Sequence, residues 1–182
     1  MAIDYTRART KAELQQILRL QEDNLKGGLS ASEKEREGFV SVVHTLELLE
    51  AMNKVCPHIL AKSGDEVAGY ALCMHPDFSD AIPMLRPMFK KVRSLIDPSH
   101  RFVIMGQICI DKPWRKQGIF RGLYASMRQE LKGEFDSIIT EVDDTNQRSL
   151  TAHLAVGFRS LEVYWSGDRT WHLIQLSIAN DQ

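Results

Sequence analysis

A mixed α/β fold is predicted by three observations. Short apolar runs that read as strands are interleaved with stretches whose apolar residues recur at helical spacing. Gly, Pro and Asp punctuate the boundaries between the two kinds of segment. The chain of 182 residues shows no repeat, low-complexity tract or linker, a length that suits one domain with a substantial core and is short for two. A single domain over residues 1–182 is therefore expected.

Taken in order, "IDYTRAR" alternates loosely and reads as a first strand. Thr10 followed by Glu13 is a capping-box pair, and it opens a helix carrying Leu14, Ile17, Leu18 and Leu25. "KGGLS" breaks that helix. Ser32 with Glu35 repeats the capping pattern, and Val42, Val43, Leu46, Leu49 and Met52 form a second helical stripe ending near Pro57. "HILAKSGDEVAGYALCM" reads as two strands joined by a Gly-Asp turn. "RFVIMGQICID" is one long apolar strand. Helical spacing resumes over 119–131, "FDSIITEVDD" is a further strand and "NQRSLTAHLAV" a short helix. "GFRSLEVYWSG" and "RTWHLIQLSI" close the chain as a hairpin-like pair.

Residues 76–100 interrupt this plan, because a short turn would suffice between the strands they separate. Ile82, Leu85, Met88, Phe89, Val92, Leu95 and Ile96 recur at helical spacing, with Pro87 expected to bend or delay the helix. Arg86, Lys90, Lys91 and Arg93 make the insert basic. Two readings stand open: a solvated face on an added helix, or a lid or surface for an acidic partner.

Basic and acidic residues nearly balance, 23 against 24, so no global field draws nucleic acid or a membrane, and neither is expected as a partner. No apolar run approaches the roughly 18 residues needed to span a bilayer. The N-terminal stretch lacks the apolar core of a signal peptide. Cys56, Cys73 and Cys109 are odd in number and far apart, without zinc or redox spacing. A reducing, cytoplasmic setting is the expectation. His44, His58, His75, His100 and His172 form no ligand motif, so no metal is expected.

The richest stretch is "CIDKPWRKQGIFRGLYASMRQ", residues 109–129, where a strand passes through a basic loop into a helix. A helix starting near Ile119 presents unpaired amides and the positive end of its dipole. An anion gains several hydrogen bonds there. Gly118 lets phosphate oxygens approach the main chain, and Arg115, Lys116 and Arg121 add charge. Neither the nucleoside-triphosphate loop nor the dinucleotide glycine pattern is present. A strand-to-helix turn with basic residues is by itself a weak signal.

"CIDKPWRKQGIFRGLY" resembles the acyl-coenzyme-A motif of the GNAT superfamily of N-acetyltransferases. In that motif an Arg or Gln is followed at fixed spacing by a Gly and then by a Gly or Ala. Arg115 and Gly118 hold the first two places, and Phe120 departs from the third, so its ring must point away from the diphosphate. "NQRSLTAHLAVGF" is similar to a second family pattern, with Asn146, Ser149, Gly157 and Phe158 in register. The resemblance is specific over residues 102–160.

The resemblance implies a mixed, mostly antiparallel sheet of six to seven strands. About four helices would flank it, with an extra helical insert between strands three and four. It implies acetyl-CoA as cosubstrate, with the fourth strand splayed from the fifth and pantetheine in the gap. Ile108, Cys109 and Ile110 would then offer main-chain groups, with Cys109 or Ile110 donating to the oxyanion. Arg115, Lys116, Gln117, Gly118, Ile119, Phe120 and Arg121 would hold the diphosphate, with Asn146, Ser149 and His153 beside the tail. A primary amine of a small molecule, protein or peptide would attack directly. A lysine-like amine has a pKa of about 10.4 and must first lose a proton. Glu141, five residues before Asn146, holds the place of the family's general base, and its other reading is a strand carboxylate or ion-pair partner. His153 stands where many members carry a Tyr that serves the leaving thiolate, and its other reading is packing. A catalytically weak acyl-CoA sensor or scaffold is the alternative function. A monomer or a homodimer is expected, and the acceptor is not encoded legibly.

Overall fold

The structure is a computed structural model that describes residues 2–25 and 42–178. Seven strands form one sheet in the order β1-β2-β3-β4-β5-β7-β6. In sequence these are β1 Asp4–Arg7, β2 Ile59–Ser63, β3 Glu66–Met74, β4 Phe102–Ile110, β5 Ser137–Asp143, β6 Arg159–Ser166 and β7 Arg169–Ser177. Only β4 and β5 pair in parallel; every other neighbour is antiparallel. The described helices are α1 Lys11–Asp23, α2 Leu46–Val55, α3 Arg86–Leu95, α4 Ile119–Glu130 and α5 Gln147–Ala155. The expected mixed sheet, with four flanking helices and a fifth in the insert, is what forms.

Each helix starts where a local signal allows it. Thr10 and Glu13 make both halves of the capping box, Oγ1 accepting from Glu13 N at 3.2 Å and Oε2 accepting from Thr10 N at 2.9 Å. That helix ends at Asp23, so Leu25 lies beyond its cap and still packs on the core. The second helix begins later than the stripe suggested. Thr45 caps it by accepting from Leu48 N, which leaves Val42 and Val43 outside the helix. The Ser32–Glu35 signal lies outside the described residues. In the insert, Pro87 falls at the second position of α3, where a missing N–H costs no hydrogen bond.

Both faces of the sheet are covered. Leu123, Tyr124 and Met127 of α4 pack on Ile59, Ala71, Cys73 and Val103, with Leu150 of α5 in the same cluster. On the opposite face, Leu14, Ile17 and Leu20 of α1 meet Leu60, Tyr70 and Leu72. Beside them Met88, Phe89 and Val92 of α3 close over Ile104, Ile139 and Leu173. The insert is therefore part of the core. Its basic side chains turn outward into ion pairs and hydrogen bonds: Lys91 Nζ to Glu162 at 2.7 Å, Arg86 to Asp80 at 3.3 Å, Arg93 to Ser79 Oγ at 3.1 Å.

Three histidines are sealed in this core. His58 Nδ1 accepts from Cys73 N at 3.1 Å, and His44 Nδ1 meets Gln21 Oε1 at 2.7 Å. Burial pushes His44, His58 and His153 each down to about 4. A folded-state pKa below the unfolded 6.5 means that unfolding takes up protons between those values. The stability these rings contribute is thus present above about 6.5 and lost as pH falls towards 4, by up to about 1.4 kcal/mol per pH unit for each. Urea midpoints should fall across that window. The stability difference between the native chain and His153→Phe should change with pH below 6.5 and be constant above 7; parallel curves throughout would contradict the neutral burial of His153.

Candidate active site

The site exists because the ladder between β4 and β5 stops early. Pairing holds at Phe102↔Ser137, Val103↔Ile138 and Ile104↔Ile139, and beyond it the two strands run on unpaired to Ile110 and Asp143. The cause lies on the other edge of β4. There Ala71 pairs with Ile108 and Cys73 with Met105, so β4 carries one extra residue opposite Leu72. Such a bulge bends its strand and raises the local twist. Gln107 pins the bulge: its Oε1 accepts from Tyr70 Oη at 2.5 Å and its Nε2 donates to Val42 O at 2.9 Å. Thr140 Oγ1 donates to Met105 O at 2.9 Å, closing off the last carbonyl before the gap.

Strand alternation then decides which amides face the gap. Asp111 N donates to Ala68 O on β3. Cys109, two residues earlier, shares that side, and Ile108 and Ile110 face the opening. Of the two expected oxyanion donors, Ile110 has the suitable direction and Cys109 does not. The Cys109 thiol is buried, and burial raises it to about 12, which removes it as a nucleophile.

At the far end of β4 a 3-10 turn, Lys112–Trp114, leads into the basic loop. Arg115 ties the loop down, with Nε donating to Ile110 O at 3.0 Å and Nη2 to Asn24 Oδ1 at 2.6 Å. Lys116 and Gly118 have φ of 62° and 80°. For Gly118 that left-handed conformation, not crowding by protein, is what calls for glycine, since a Cβ there would meet nothing within 4 Å. The first helical bond of α4 runs from Gly122 N to Gly118 O, so the amides of Ile119, Phe120 and Arg121 have no acceptor within the helix.

Two cavities flank the gap. The larger, about 230 Å³, runs from the Gly118 loop past Ile108 and Ile110 to α5; the smaller, about 100 Å³, lies towards the insert. Ile108, Asn146 and Ser149 line both, so the two communicate through the parted strands. Every residue expected to bind the cofactor lines the larger cavity except Gln117, Arg121 and His153. Gln117 is exposed and donates to Pro113 O at 3.0 Å, and the Arg121 side chain is exposed. Asn146 caps α5 by accepting from Ser149 N. Phe120, the departure from the family pattern, sends its ring against Tyr124 and His153 with centroids 5.2 and 5.1 Å away.

Sequence reasoning missed Asn24, Arg148 and Ala152 on the larger cavity and Met84, Leu85, Met88 and Trp171 on the smaller. Arg148 could have been found as a cation in the first turn after Asn146. Asn24 and the insert residues arrive by tertiary folding alone.

Glu141 opens into the smaller cavity. Burial raises its carboxyl to about 7, against a hydrogen bond from Tyr164 Oη that pulls the other way. His153 is 1% exposed and lines the same cavity. Its Nδ1 lies 2.7 Å from Ser149 O, which requires the proton on Nδ1. With burial holding the ring neutral, Nε2 is an acceptor, enclosed without a hydrogen-bond partner. The geometry does not present a proton to a leaving sulfur. Among the described residues no group of three or more His, Cys, Asp or Glu is placed to hold a metal ion, and no helix is long and apolar enough to cross a membrane.

A basic loop at a helix start, a slot lined by strand amides that face the gap and a half-buried carboxyl beyond it have the order a long diphosphate-bearing thioester would need. The diphosphate would sit at the start of α4 and the tail along Ile108 to Ile110. Comparison with known proteins bears on the fold. The fold matches ribosomal-protein-S18-alanine N-acetyltransferase from Escherichia coli at a TM-score of 0.63 and 12% identity, covering 100% of this chain and 97% of that one. It matches Ard1 from Thermoplasma volcanium at 0.68 and 11%, covering 99% and 100%. It matches yncA from Salmonella typhimurium, solved with its cofactor acetyl-CoA, at 0.65 and 13%, covering 100% and 97%. No curated protein matches it in sequence. The sequence profile of the Acetyltransferase (GNAT) family matches residues 14–158. The chain belongs to that family, as an acyltransferase.

Proposed function

We propose that the chain transfers an acetyl group from acetyl-CoA to a primary amine by direct attack in a ternary complex, within one catalytic domain. The observation that carries this reading is a single opening in the sheet. It joins the loop-side cavity to a half-buried carboxyl whose desolvation raises it to about 7. Bound acetyl-CoA would supply the thioester carbonyl at the junction of the cavities. Gly118 and the first amides of α4 would hold the diphosphate, with Lys116 and Arg148 alongside. Ile110 N–H would donate to the carbonyl oxygen as negative charge develops there, a contact worth roughly 3 kcal/mol in comparable sites.

Glu141 would take the proton from the amine. A carboxyl at about 7 is matched to that task, being substantially ionised at neutral pH yet basic enough to accept. Tyr164, donating to Oε2, would orient it. His153 has its proton committed to Ser149 O, and in this reading it packs between Phe120, Tyr124 and Phe158 as a wall of the site.

Three outcomes are expected. Glu141→Gln should lower kcat by about 10²- to 10⁴-fold while acetyl-CoA binding, measured by calorimetry, is unchanged; binding without turnover in the native chain would instead indicate an acyl-CoA sensor. The kcat/KM profile should rise with an apparent pKa near 7, and Tyr164→Phe should move that limb upward, because the lost hydrogen bond had favoured the charged carboxylate. An unmoved limb would separate Tyr164 from Glu141. Gly118→Ala should weaken coenzyme A binding about tenfold, since the left-handed backbone costs an alanine about 1–2 kcal/mol.

A further inference from the structure

We propose that the acceptor is a small primary amine carried on an apolar, uncharged group, and that the insert between β3 and β4 selects it. This rests on the acetyl-transfer reading above. The smaller cavity, where an acceptor must sit to reach Glu141, is walled on one side by Met84, Leu85 and Met88 of the insert. Ile104, Ile108 and Trp171 face them from the sheet. Methionine is unbranched and polarizable, so such a wall moulds to hydrocarbon.

Apart from His153 Nε2, the polar side chains that argue against a polar guest in this cavity are engaged within the protein. Gln107 is held between Tyr70 Oη and Val42 O, and Thr140 donates to Met105 O. Asn146 caps α5. Asp143 accepts from Thr145 and is paired with Arg169 at 3.1 Å. A polar acceptor tail would give up water and find few groups in exchange.

Charge points the same way. No Lys or Arg is among the described residues lining the cavity. Three of the insert's basic residues, Lys91, Arg93 and Arg86, are drawn off to Glu162, Ser79 and Asp80, and Lys90 is exposed and does not line the cavity. A carboxylate on the acceptor would therefore meet no cation among the described residues of the lining. One ammonium is matched by Glu141, and a second would meet only Asp143, already neutralised by Arg169. At about 100 Å³ the cavity is also well below the roughly 300–1,000 Å³ of sites for drug-sized ligands, which favours a short substituent.

The test is kcat/KM from thiol release with the full chain and acetyl-CoA, over the n-alkylamines from ethylamine to pentylamine, with 1,4-diaminobutane, 4-aminobutanoate and a short peptide with a free N-terminus. The alkylamine series should rise about fourfold per methylene until the cavity is filled. The diamine and the amino acid should fall at least about tenfold below the alkylamine of equal length. Met84 is 59% exposed on the rim, so Met84→Glu should fold, and its new carboxylate should raise the diamine about tenfold relative to pentylamine. Rates indifferent to chain length, a charged acceptor preferred, or a peptide outpacing every alkylamine would each overturn the proposal while leaving acetyl transfer standing. Acetyl-CoA bound but no amine acetylated would overturn both.

Discussion

A broken hydrogen-bond ladder in the middle of a sheet is the constraint on which this molecule is organised. Interior strands normally satisfy every backbone amide and carbonyl across both edges, and leaving them open costs free energy comparable to the bonds forgone. Here β3 pairs with β4 from Ile110 to Ile104 apart from the bulge, while β5 pairs with the other edge only from Phe102 to Ile104. The extra residue opposite Leu72 both tilts β4 away and turns Ile108 and Ile110 towards the opening. The defect is anchored rather than loose. Gln107 and Thr140 hold its two sides, and both are buried. A ligand that offers amide-like groups along its length completes what the sheet lacks.

The same opening sets the electrostatics. Beyond the last paired residue, β5 carries Glu141 into a space walled by methionine, isoleucine and tryptophan. Desolvation there is what holds the carboxyl near neutrality, and the Tyr164 hydroxyl limits how far it rises. Protein dipoles concentrate at the other mouth, where α4 begins. Attraction for an anion and appetite for a proton are thus separated along one channel, and neither group has to compromise for the other.

Much of this could be read from the chain. The strand, loop and helix around Gly118 and the Asn146 helix are local patterns, governed by dihedral angles and caps, and they appear within a residue or two of the expected limits. The insert was legible as a helix, and as a cover only in one of two readings left open. Its apolar stripe and its basic residues compete for interpretation until the sheet shows which face is covered. The start of α2 was misjudged because Val42 and Val43 continue the helical spacing although Thr45 supplies the cap. The role of His153 turned on something no spacing reveals, namely which ring nitrogen finds a carbonyl. Tyr164 was invisible for a similar reason, since its meeting with Glu141 depends on β7 lying between their strands.

Where the insert joins the chain has a consequence for how such a molecule changes over time. It leaves at the end of β3 and returns at the start of β4, so its rim, where Met84 is exposed, can vary without touching the α4 loop, while Phe89 and Val92 keep it fixed to the sheet. Changes there would re-dress the chamber around Glu141 while the half that includes the Gly118 loop stayed as it is. On the proposed reading, donor recognition and recipient choice would in that sense be inherited separately within a single sheet.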